Sequence, residues 1–151
     1  MDELKPINVT HRIKSLDLVS YTVADRQFNF DIDPNKITFE IRVIVNVIAV
    51  EKLISIINPI EIFSDESKRE SLGSLQVKGE FFIENFEEIK MGNGLHTAVV
   101  ATFLGVVISS ARGMLRVLSK GTSFEKAIIP IINPMVMLAS IKDDNITPVL
   151  K

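Results

Sequence analysis

The chain has 151 residues, of which 46% are hydrophobic and 24% charged, and its formal net charge is −2. A chain of this length makes about one domain and buries roughly two-thirds of the surface its unfolded form exposes, so a single domain over 1–151 is expected without a disulfide or metal staple. There is no cysteine, and His11 and His96 are the only histidines, which excludes disulfides, thiolate metal sites, cysteine nucleophiles and a His-rich metal centre. No basic surplus points to duplex nucleic acid. Nine Phe, one Tyr and no Trp give little surface for stacking bases or sugars.

In chain order, the first ten residues form a polar lead-in. Met1-Asp2-Glu3-Leu4-Lys5-Pro6 is too acidic for a secretory leader, and a cytoplasmic protein is the expectation. Arg12 to Val23 reads as a strand whose apolar phase switches after Leu16 and Leu18 to Val19, Tyr21 and Val23, the mark of a bulge or bend. Ala24 to Lys36 is a loop that carries Phe28 and Phe30 and an Asp33-Pro34-Asn35 turn signal.

Ile37 to Val50 is the clearest strand, apolar at every odd position, which gives a sheet with one dry face. Its other face turns apolar near the end. Leu53 to Phe63 is a further strand, interrupted by Asn58-Pro59; proline there suits an edge or a bulge. After a charged connection at 64–71, Leu75, Val77, Phe81 and Ile83 alternate with polar residues as a fourth strand.

Leu95 to Leu118 reads as one long helix that closes on Gly121. No charge lies between Lys90 and Arg112, a span long enough for a bilayer. Its Asn93, His96, Thr97, Thr102, Ser109 and Ser110 favour a core or interface helix and no membrane insertion. Ala101, Gly105, Ser109 and Gly113 recur at four-residue intervals. Such a row lets another element approach closely, and glycine in a helix costs about 1 kcal/mol against alanine. The row packs either on the chain's own sheet or on a second copy as an oligomer interface. Beyond it, Ile128-Ile129-Pro130-Ile131-Ile132 is an apolar run that proline keeps from being an ordinary strand. Asn133-Pro134 is a helix start, and a short helix through Met135, Met137, Leu138 and Ile141 should follow.

The motifs for chemistry are weak. Gly92-x-Gly94 lacks the rest of a phosphate loop. The serines have no nucleophile-elbow setting. Glu84, Glu87 and Glu88 read as a solvated strand end, and Asp31 and Asp33 as an incomplete calcium loop. No catalytic residue, metal or cofactor is expected. What remains is surplus apolar surface, with methionines of the adaptable kind used at binding surfaces.

The order of four antiparallel strands, long helix, proline-containing segment and short helix resembles the SecB family of protein-export chaperones. Ala111-Arg112, Leu115, Leu118, Ser119-Lys120-Gly121-Thr122 and Phe124 are similar to the family's Ala-Arg…Gly-Thr-Phe stretch. Ile129-Pro130-Ile131-Ile132-Asn133 is similar to its turn into the last helix. The resemblance implies an α+β fold, a four-stranded antiparallel sheet with a long helix and a short C-terminal helix on one face. It implies a dimer of dimers joined through the long helices, which suits the row of Ala101, Gly105, Ser109 and Gly113. It also implies ATP-independent capture of unfolded or nascent chains, with Phe28, Phe30, Ile131, Ile132, Met135 and Met137 lining the groove. Hand-over to the export motor SecA and protection of one partner such as an antitoxin are both open. The competing class is a small-ligand or thioesterase-like protein, which also lays a helix on an antiparallel sheet.

Overall fold

Alternation along four stretches of sequence produces one antiparallel sheet. The computed structural model describes residues 7–24, 32–68, 70–92 and 94–140. Its strands are β1 (His11–Val23), β2 (Thr38–Ile41), β3 (Ile44–Ile48), β4 (Leu53–Phe63) and β5 (Ser71–Ile83). They pair in the order β1-β5-β4-β2, and β3 also pairs with β4. A single turn, α1 (Phe86–Ile89), leads into a small ladder of β6 (Lys90–Met91) and β7 (Gly94–Leu95). The long helix α2 (Thr97–Leu118) and the short helix α3 (Pro134–Ser140) complete the described chain.

The phase switch in β1 marks two bulges. The register slips between Ile13 and Ser15 and again between Leu18 and Ser20. Each slip adds one residue, which restores the side chains to the same face. Ile13, Leu16, Leu18, Tyr21 and Val23 therefore all stand opposite inward-facing positions of β5, from Phe81 to Gly73. The hydroxyl of Tyr21 donates to the Leu118 carbonyl at the end of α2 (3.0 Å), and burial raises the phenol pKa.

The expected strand from Ile37 to Val50 is broken. Arg42 and Val43 separate β2 from β3, and both halves pair with β4. The cause is Pro59, which does not lie at an edge: β4 is central, between β5 and the β2/β3 pair. The Pro59 carbonyl accepts from the Arg42 amide (2.9 Å). In an antiparallel ladder a residue's N–H and C=O point to the same neighbour, so the donor that proline lacks is the one due to Arg42. The Asn58 side chain replaces it, Nδ2 donating to the Arg42 carbonyl at 2.7 Å. A central proline is thus tolerated where the partner strand is interrupted and a side-chain amide fills the gap.

Against the inner face of the sheet lies α2. Ile54, Ile56, Ile62, Val77 and Phe81 of the sheet and Leu104, Val107 and Ala111 of the helix are fully buried. Each large apolar side chain contributes about 1.5–3 kcal/mol by leaving water. The Phe81 and Phe103 rings stack at 4.5 Å. The helix comes close at Gly79, where a Cβ would sit 2.7 Å from Val107 Cγ2. The helix starts two residues later than its pattern predicts, because Leu95 belongs to β7 and His96 caps the helix, its Nδ1 accepting from Ala98 N (3.2 Å). At its far end Gly121 takes the left-handed φ of +78°, as the stop signal requires.

Candidate functional site

After α2 the chain makes turns over 119–126 and then runs over 127–133 as an extended strap to α3. Ile129 precedes Pro130 and is thereby held extended, and among the described residues the strap joins no sheet. Ala127 and Ile129 point inward and are buried, whereas Ile128 is 64% and Ile131 93% exposed. The strap's carbonyls are bound by α2. Arg112 Nε donates to the Ile129 carbonyl (3.0 Å) and its Nη2 to the Pro130 carbonyl (2.9 Å). Arg116 Nη1 donates to the Glu125 carbonyl (3.2 Å). The Asn133 side chain accepts from Met135 N (3.0 Å) and caps α3, as Asn-Pro predicts.

α3 contributes little to the core. Of its residues only Leu138 is fully buried, while Met135 is 45% and Val136 65% exposed. Of the groove residues expected from sequence, Ile131 and Met135 face solvent. Ile132 and Met137 are half-buried against the core. Phe28 and Phe30 lie outside the described residues. Two further exposed apolar residues, Ile128 and Val136, escape the sequence reading. The run from Ala127 to Ile132 is apolar throughout, so no alternation singles out the first. Ile128, Ile131, Met135 and Val136 thus expose apolar side chains within nine positions of chain.

Beside this surface, a cavity of about 650 Å³ opens between α2 and the strap, bordered by Gly105, Ser109, Arg112, Ile131, Ile132 and Pro134. The small-residue row runs partly through it. Ala101 is buried in the chain's own core. Gly105 lies under α3, with a Cβ at that position 3.5 Å from Pro134 Cγ. Ser109 and Gly113 are exposed, and a Cβ at Gly113 would meet nothing within 4 Å. A four-residue step exceeds one helical turn by about 40°, so the row winds from the buried side of α2 to its open side.

Several of the carboxylates and histidines have contacts within the chain. His11 meets Phe103 edge to face. Arg12 pairs with Glu84 at 3.8 Å, and Glu88 accepts from Asn85 (3.3 Å). The Asp33 side chain accepts from Asn35 N. Among the described residues no three of His, Cys, Asp and Glu gather where a metal ion could be held. α2 is long and apolar enough to cross a membrane, but half of that stretch is buried inside this chain.

No family model matches the sequence, and no curated protein matches it. Among solved structures, the chain is similar to the SecB-like chaperone Rv1957 of Mycobacterium tuberculosis, in complex with a ChAD peptide from the Rv1956 HigA1 antitoxin. The TM-score is 0.54 at 12% identity, covering 81% of this chain and 89% of that one.

Proposed function

We propose, on the SecB-like fold this chain adopts, that it is an ATP-independent holdase chaperone that binds unfolded or nascent polypeptides through the strap and α3. The observation that carries this reading is the run of exposed Ile128, Ile131, Met135 and Val136 beside an open cavity. Apolar burial at about 25 cal/mol per Å² supplies affinity without sequence readout, and exposed methionines adapt to varied side chains. Phe28 and Phe30 are proposed to extend the same surface, with Ile132 and Met137 as its floor. The structurally similar mycobacterial chaperone is in complex with an antitoxin peptide. That supports a polypeptide ligand and favours, as second reading, a chaperone dedicated to one such partner. Hand-over to SecA and a cytoplasmic site of action complete the general reading.

The test is dilution of a denatured model protein into buffer lacking ATP. Dose-dependent suppression of aggregation is expected, and it weakens when Ile131 and Met135 are replaced by serine. The same is expected for Phe28→Ser with Phe30→Ser. Because Ile131 and Met135 face solvent, melting temperature should hold. Full suppression by the serine variants would overturn the site, and no suppression by the folded parent would leave the dedicated-partner reading.

We also propose assembly as a dimer of dimers through the open side of α2, using Ser109 and Gly113, with Gly105 and Ala101 as the covered end of the row. Gly113→Leu tests this without disturbing the subunit, since the position faces open space. A native mass that falls on substitution supports the interface, and an unchanged mass removes it.

A further inference from the structure

The strap that carries Ile131 has buried anchors on one side only, Ala127 and Ile129, and no ladder partner among the described residues. Proline at 130 removes one of its donors, and the carbonyls on either side of the Ile129–Pro130 bond need partners of their own. One side chain meets both. Arg112 sends Nε to Ile129 and Nη2 to Pro130, the fixed fork of a guanidinium spanning two successive carbonyls. The same side chain also borders the cavity between α2 and the strap, together with Ile131 and Ile132. Arg116 makes a single bond, to Glu125, four residues upstream of Ile129.

We infer that Arg112 is a positioning residue: its guanidinium fixes where the strap lies on α2, and so sets the cavity's width and the outward direction of Ile131. Without the fork, Ala127 and Ile129 still anchor the strap upstream, but the part from Pro130 to Asn133 keeps only the half-buried Ile132 against the core and loses its hydrogen-bonded fastening to α2. A surface held in its binding geometry loses less entropy on capture than a loose one. Only the second readout below rests on the client-binding reading.

The chain lacks cysteine, so Val117→Cys with Val136→Cys, both exposed positions, gives a clean pair for spin labels on α2 and α3. Labelled chain is diluted into excess unlabelled chain to isolate distances within one subunit. One narrow distance is expected for the parent. Arg112→Met should broaden it. Arg112→Lys, whose ammonium keeps the charge but lacks the rigid planar fork, should fall between the two and serves if the methionine variant does not fold. A distribution as narrow as the parent's in either folded variant overturns the assignment. The second readout is affinity for a denatured client, expected to fall about three- to tenfold in Arg112→Met. A broadened strap with unchanged affinity keeps Arg112 as the positioning residue and overturns the client-binding role of the strap instead.

Discussion

The two sides of α2 use glycine for opposite reasons. On the side facing the sheet, Gly79 of β5 admits the helix so closely that a Cβ would overlap Val107 and approach the Phe81 ring at 2.9 Å. On the other side, Gly113 of the helix itself faces open space. The first glycine exists because two elements of this chain meet there. The second costs about 1 kcal/mol of helix propensity with no compensating contact inside the subunit. The inner side is therefore a finished, dry interface, and the outer side at Gly113 is open, which is where the proposed assembly would meet it.

The largest expected effect tests the dryness of the inner side. Asn58 is fully buried, its Nδ2 serves the Arg42 carbonyl, and its Oδ1 has no partner among the described residues. Asn58→Asp removes the donor and places a carboxyl in a site that disfavours charge. Its folded-state pKa must rise above the unfolded value. Stability is then retained below the unfolded pKa, where the neutral carboxyl can donate to Arg42, and is lost as pH rises through the raised folded value. A deficit of about 3–5 kcal/mol against the parent is expected at pH 7, shrinking in acid. Chemical denaturation across pH measures it, and a deficit that is constant with pH would mean that the site is wet.

Next is Gly79→Ala. Overpacking costs about 1–3 kcal/mol, against which the gain from removing glycine in a strand is about 0.5–1 kcal/mol. The melting temperature should fall by a few degrees, at about 2–4 °C per kcal/mol for this size. Val107→Ala should relieve the clash, so the double variant is more stable than the two singles predict. Additive effects would show that helix and sheet do not meet closely at this point.

Gly113→Ala sharpens the contrast because its sign is diagnostic. If the subunit alone decides, alanine stabilises by about 1 kcal/mol. If a second helix packs on the row, the added methyl weakens assembly while the isolated subunit gains. Thermal melts at two protein concentrations separate these outcomes.

The same contrast explains what was legible in the sequence. Phase arguments succeed where a face is either wet or dry, hence the bulged β1, the strands β4 and β5, α2 and the capped α3. They miss the break at Arg42 and Val43, since the apolar alternation runs through it unbroken. The signal lay in the partner strand, at Pro59, and it shows only once β4 is known to be central. At the candidate site, Ile131 and Met135 are legible as surplus apolar residues. Ile128 and Val136 are not, because their exposure depends on how Arg112 and Arg116 lay the strap on α2. The four-residue row reads as one face, though only Ser109 and Gly113 reach the open side, while Gly105 lies under α3 and Ala101 in the core.

The smallest effect lies on the outer face of the sheet, where a carboxylate behaves oppositely to one forced into position 58. Glu80 pairs with Lys78 at 2.8 Å. The hydrogen bond from Lys78 lowers its pKa first; burial opposes this, and the charges of Lys78 and Lys14 and a bond to Ser15 add to the lowering. A depressed folded-state pKa contributes stability above the unfolded value and loses it as pH falls through the folded one. Both side chains remain partly exposed, at 36% and 23%, so solvent keeps the contribution to about 0.2–1 kcal/mol. Glu80→Gln should lose that amount at pH 7, and the gap should close below about pH 4 and narrow in high salt. A gap that persists in acid would show that the carboxamide disturbs packing rather than charge, and that the outer face is drier at this point than the Lys78 pair implies.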